Sequence, residues 1–106
     1  MKYTIRYLPE ALEEMLPILA YLAEYSTTAP GKFASEVETQ IKQLEDFPRM
    51  YPAYEHNRDF RVIQTLFDYQ VFYIVNEKAR SVDIHHILHG RRNIKKFLET
   101  VEKNPE

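Results

Sequence analysis

Three histidines and two arginines fall close together near the end of one segment: His85, His86 and His89, then Arg91 and Arg92. A base, an acid and a cation for phosphate are what cleavage of RNA through its 2′-hydroxyl requires. In a β-strand, successive side chains alternate between faces. His85 and His89 are therefore expected on one face and His86 on the other. On a straight strand His85 and His89 lie about 13 Å apart, too far to share one metal ion, so no metal site is expected. Arg61 is a further cation that could meet a phosphate, an acid or a partner protein. The competing reading makes the histidines partly buried strand positions and the arginines a solvated turn. Asp83 could then orient His85 as a purely structural hydrogen bond.

Other chemistries are excluded by residue type. The 106 residues contain no cysteine, which removes thiolate metal sites, disulfides and cysteine nucleophiles. Only Gly31 and Gly90 are glycine, so no glycine-rich phosphate loop can form. No cofactor is expected. Net charge is −2. Residues 1–57 carry five Lys/Arg against nine Asp/Glu, and residues 58–106 carry nine against seven. A domain that grips nucleic acid mainly through phosphates is usually strongly basic, and this one is not.

These side chains need a frame, and the pattern supplies one. Lys2–Leu8 reads as a first strand. Pro9 opens a helix running to about Tyr25, with Glu10, Glu13 and Glu14 near its positive end. Leu12, Met15, Leu16, Leu19, Leu22 and Ala23 form its apolar stripe, and Pro17 predicts a kink. After a turn at 26–31, with Thr28 as N-cap, Phe33, Val37, Ile41 and Leu44 mark a second helix ending at Phe47–Pro48. Arg49–Asp59 reads as a loop of about eleven residues. Its Tyr51 and Tyr54 are candidate partner contacts.

The second half alternates in short β-branched and aromatic runs: 60–66, 69–75 and 81–88. Gly90 turns the chain, and Ile94, Phe97, Leu98 and Val101 repeat at helical spacing. Lys103–Glu106 reads as a frayed tail. The order β-α-α-β-β-β-α predicts an α+β fold in a single domain, residues 1–106. A helical hairpin packs on an antiparallel sheet. Where the first strand joins that sheet is not readable. No run approaches the roughly 20 apolar residues that cross a bilayer. The first eight residues have no signal-peptide pattern. A cytoplasmic location is expected.

The stretch FRVIQTLFDYQVFYIVNEKARSVDIHHILHGRRN, residues 60–93, resembles the RelE/ParE toxin superfamily. Its "VFYIV" strand and its "LHGRR" ending carry the likeness, with "PEALEEM" and "LEDFP" agreeing in the front half. The resemblance spans about residues 2–98. It implies the toxin component of a type II toxin–antitoxin system, bound by a cognate antitoxin whose C-terminal segment wraps the toxin. RelE-like members cut mRNA on the ribosome, and ParE-like members poison DNA gyrase.

The residue matches favour the ParE-like branch. RelE-like nucleases commonly place an arginine where Gln70 stands and a catalytic Tyr or His near Phe97 and Leu98. Arg91 and Arg92 do match the basic strand end of the nucleases. The resemblance therefore implies a gyrase-binding toxin that is not itself an enzyme. The alternatives are an mRNA endoribonuclease using Arg61, His85, His89, Arg91 and Arg92, or a non-toxic member serving as a co-repressor. Leu12, Leu19, Phe33, Val37, Tyr51, Tyr54, Arg91 and Arg92 are the candidate antitoxin or target contacts.

Overall fold

The computed structural model describes residues 2–102, with side chains through residue 100. The expected frayed tail at 103–106 and the packing of Val101 lie outside the described residues. The order of elements is β1 (Thr4–Tyr7), α1 (Pro9–Ala23), α2 (Ala29–Lys42), β2 (Ala53–Tyr54), β3 (Asn57–Gln64), β4 (Tyr69–Asn76), β5 (Ser81–His89) and α3 (Ile94–Glu102). The fold is α+β, as its alternating and helical periods predict.

The five strands form one sheet in the order β1-β5-β4-β3-β2. β3, β4 and β5 are the expected antiparallel meander. β1 completes the sheet from the far edge. It runs parallel to β5, from Thr4 opposite Ser81 to Tyr7 opposite Ile84. The sheet is therefore mixed, antiparallel except at this one edge. Four residues and an exposed Arg6, paired with Asp83 at 3.7 Å, suit an edge position.

The helical hairpin covers one sheet face. Ala11, Ile18, Leu22, Phe33, Val37 and Ile41 are buried against Ile63, Val71, Tyr73, Val82, Ile84 and Ile87. A second, smaller core on the other face joins Phe60, Phe72 and Leu88 to Ile94 and Leu98 of α3. The phase of α1 differs from the simplest reading of its leucines. Ala11, Ile18 and Leu22 face inward, with Met15 and Leu19 packed beside them. Leu12 and Leu16 point out, 54% and 70% exposed. Ala23, the last member of the expected stripe, is exposed as well, and the buried stripe begins one position earlier, at Ala11.

Pro17 is accommodated inside one continuous helix. Thr28 stands at the N-cap of α2, but its side chain makes no capping bond. Its own N–H is instead bonded by Ser26 Oγ at 3.1 Å. α2 ends at Lys42 and tightens into a 3₁₀ turn over Gln43–Glu45.

The expected loop at 49–59 is shorter than its sequence suggests. It contains β2, and β3 begins at Asn57. Two side chains tie down its start. Tyr73 Oη donates to the Pro48 carbonyl at 2.9 Å, and Arg61 Nη1 donates to the Tyr51 carbonyl at 2.6 Å. Burial pushes the Tyr73 hydroxyl up to about 12, so it remains a donor throughout the physiological range. Among the described residues, no helix is long and apolar enough to cross a membrane.

Candidate functional site

The histidine cluster is rearranged by a β-bulge. Phe72 lies opposite His86, but Tyr73 lies opposite Ile84, so His85 is an inserted residue. The alternation slips by one at that point. His85 contacts Phe60, and His86 contacts Phe97, both rings of the core beneath α3. His89 packs edge-on against Tyr69 on the hairpin side, with ring centroids 5.0 Å apart. The expected shared face for His85 and His89 is thus overturned. His85 and His86 share a face, and His89 is on the other.

His86 is buried and committed. Its Nδ1 lies 2.9 Å from Glu14 Oε2, and Glu14 Oε1 accepts the Ile87 N–H at 2.8 Å. This carboxylate completes what β1 leaves unfinished. β1 ends at Tyr7, and Leu8 makes the last bond to Ile84, so the edge of β5 beyond it lacks a strand. α1 begins at Pro9 and brings Glu14 to that open edge. From the sequence, Glu14 reads only as a favourable charge near a helix start. Its partners lie more than 70 residues away, and nothing local signals them.

Glu14→Ala should leave two buried donors without an acceptor, at a cost of about 2–3 kcal/mol. Thermal unfolding should show a loss of roughly 10 °C or more. Glu14→Gln keeps an acceptor for Ile87 and should lose less.

His85 is shifted in the opposite sense to a surface histidine that gains an acid. Burial lowers its pKa below 6.5, and neighbouring His86 lowers it further. The folded protein therefore binds its proton less readily than the unfolded chain does. Stability should rise with pH across the window just below 6.5 and fall on acidification through it. Melting curves between pH 7.5 and roughly pH 5 test this. His85→Gln should flatten the slope.

Of Arg61, Arg91 and Arg92, only Arg91 lies with one of these histidines, its backbone N–H donating to His89 Nδ1 at 3.1 Å. Arg61 is engaged with the backbone of residues 49–51. Arg91 and Arg92 diverge from their turn. Arg91 lines a pocket on the hairpin side with Tyr21, Tyr25, Tyr69 and His89. Arg92 lies 4.1 Å over the Phe97 ring and borders a different pocket, on the α3 side. That second pocket, about 460 Å³, also receives Tyr54, His56, Gln70 and Lys95. His56 went unnoticed in the sequence because it stands in a segment without period. It lines this pocket with Arg92 and Lys95, its Nε2 3.1 Å from Glu55.

The remaining candidates separate by burial. Phe33 and Val37 are core residues with no surface to offer. Leu19 and Tyr51 are half-buried against the same core, and Tyr54 packs edge-on against Phe72 on the opposite face. Leu12, Arg91 and Arg92 are exposed. Among the described residues, no group of three histidines or carboxylates is placed to hold a metal ion.

Comparison with known proteins places this architecture. The pattern of the family described as "ParE toxin of type II toxin-antitoxin system, parDE" matches residues 5–94. The chain belongs to the ParE toxin family. Solved structures of similar fold are found at low identity. A mutant of the E. coli toxin RelE in the free state superposes with a TM-score of 0.66 at 15% identity, covering 99% of this chain and 100% of that one. A chain of the chromosomal ParDE toxin–antitoxin system from P. aeruginosa gives a TM-score of 0.70 at 11% identity, covering 83% and 96%. The isolated E. coli RelE toxin gives 0.59 at 16% identity, covering 95% and 97%. No curated protein matches the sequence. At such identities the shared feature is the fold. ParE-family membership rests on the sequence pattern, which spans β1 through the start of α3.

Proposed function

We propose that this ParE-family chain arrests growth by binding DNA gyrase, not by cutting RNA. A cognate antitoxin holds it inactive in the cytoplasm, and residues 1–106 act as one toxin domain. The observation that carries this reading is the dispersal of the would-be catalytic groups. General acid–base chemistry needs its groups within hydrogen-bond reach of one reacting centre. Here His86 is bonded to Glu14, His85 is packed on Phe60, His89 is on the opposite face, and Arg61 holds a loop. The surface instead offers binding features. Leu12 and Leu16 form an exposed apolar step on α1, with Leu19 at its margin. An amphipathic antitoxin helix laid along that step buries it.

Inducing the chain without its antitoxin should stop growth and raise the level of gyrase-bound DNA breaks, while mRNA 5′ ends stay where they were. Growth that continues unchanged would instead make the chain a non-toxic, antitoxin-binding co-repressor.

A second reading rests on the α3-side pocket. His56, Arg92 and Lys95 line it together beside Tyr54, with Glu55 3.1 Å from His56 Nε2, so a histidine, a carboxylate and two cations share one opening. It is the place for a ribosome-dependent mRNA endonuclease. New mRNA 5′ ends on induction, lost in a His56→Ala/Arg92→Ala variant that still binds antitoxin, would establish this reading and displace the first.

A further inference from the structure

The turn between β3 and β4 is built from residues that resist its shape. Phe67 and Asp68 both have positive φ, 59° and 67°. Two-residue hairpin turns of this hand are normally Asn-Gly or Asp-Gly, because a side chain at positive φ crowds the backbone. Phenylalanine there is a strained choice, and strain of this kind concentrates where a chain meets a ligand or partner. The surroundings enforce it. Thr65 N–H donates to the Tyr69 carbonyl at 2.9 Å, and Gly90 N–H donates to the Asp68 carbonyl at 2.7 Å. A side chain at Gly90 would meet Asp68 at 3.2 Å. The outcome is an exposed aromatic ring held beside others.

Those others form a pocket of about 390 Å³ at the C-terminal end of α1. Tyr21 and Tyr25 of α1, Phe67 of the turn and Tyr69 of β4 supply four rings to its lining. Tyr21 and Tyr25 stand 5.1 Å apart at 66°, locked by a 3.0 Å bond between their hydroxyls. The Asp68 carboxylate lies in the same lining, and no hydrogen bond or ion pair among the described residues engages it. α1 carries no basic residue in its last turn, so the helix itself supplies no cation for the negative end of its dipole.

We propose that this pocket is an aromatic cage for a cationic side chain, an arginine or lysine of a protein partner. The chemistry is complementary on each count. Ring faces attract cations, Asp68 supplies the counter-charge, and the helix end adds to it. A nucleotide would bring its phosphate against Asp68. A neutral aromatic side chain would leave that carboxylate unanswered. Arg91 is the chain's own competitor. Its exposed guanidinium borders the pocket, and its backbone N–H is fixed to His89 Nδ1 at 3.1 Å. An incoming cation displaces the Arg91 side chain from the rim. The inference rests on the reading of this chain as a protein-binding toxin, but not on gyrase as the target.

The test uses small probes on the purified, isotope-labelled chain, read by amide shifts in NMR. Methylguanidinium should give saturable shifts at Tyr21, Tyr25, Phe67 and Tyr69. Methylurea, its neutral counterpart, indole and GMP should not. Asp68→Asn should weaken methylguanidinium binding about two- to fivefold, the scale of one surface charge contact, and Arg91→Ala should strengthen it. Replacing Phe67-Asp68 with Asn-Gly should raise the melting temperature by relieving the turn, yet weaken binding. Equal binding of methylurea or indole, preferential binding of GMP, or no saturable shift with methylguanidinium would overturn the proposal. None of these outcomes bears on gyrase inhibition, so the two readings fail separately.

Discussion

Phe33→Ala should lower the unfolding free energy by about 3–5 kcal/mol. A domain of this size has only about 5–15 kcal/mol to lose. The reason is the position of the ring. Phe33 is fully buried where the helical hairpin meets the sheet, with its centroid 5.2 Å from that of Tyr69. Leu22, Val37, Ile63 and Val71 belong to the same buried cluster. Truncation removes the transfer free energy of a phenyl group and leaves a cavity that helices pinned to a five-stranded sheet cannot fully close. Urea denaturation should show a lower midpoint at unchanged slope. If the variant kept its stability and lost only antitoxin binding, Phe33 would be a surface contact, and the packing of α2 on the sheet would be wrong.

The opposite split is expected at Leu12 and Leu16. The double variant Leu12→Glu/Leu16→Glu should unfold within about 0.5–1 kcal/mol of the parent, because both side chains face water. Its affinity for the cognate antitoxin should fall about 100-fold or more, as expected when two central apolar contacts of an interface become charged. Titration calorimetry with purified antitoxin measures the loss, and a melting curve confirms that the fold survives. Unchanged affinity would move the antitoxin to another face of the toxin.

Much of this architecture is written locally. The three- and four-residue spacing from Phe33 to Leu44 specifies a helix with one buried face, and β-branched and aromatic runs after residue 60 specify strands. The pairs within that meander follow from short connections. What the sequence does not display is non-local or depends on a single insertion. The parallel partner of β1 is about 77 residues away, and parallel pairing leaves no turn to read. Alternation through His85 and His86 assumes a regular strand, whereas a bulge adds one residue without changing the residue types. That one step moved His89 to the opposite face from His85 and dissolved the most attractive catalytic arrangement. Glu14 shows the same limit. Its value as an acceptor depends on β1 ending at Tyr7 and leaving the Ile87 N–H without a strand on that edge. Phe67 and Asp68, by contrast, are the two residues between the strand-like runs 60–66 and 69–75, and their mismatch with the residues that tight hairpin turns prefer is visible in the sequence alone.

The proposal that this chain acts by occupying a protein rests on the separation of His85 and His86, on one sheet face, from His89 on the other and from Arg61 at the loop. Supercoiling of relaxed plasmid by purified gyrase, titrated with the purified chain, measures that action most directly. Dose-dependent inhibition or trapped cleavage complexes are expected, undiminished in a His85→Gln/His89→Gln variant. Unchanged supercoiling and unchanged cleavage-complex levels at excess toxin would contradict the proposal.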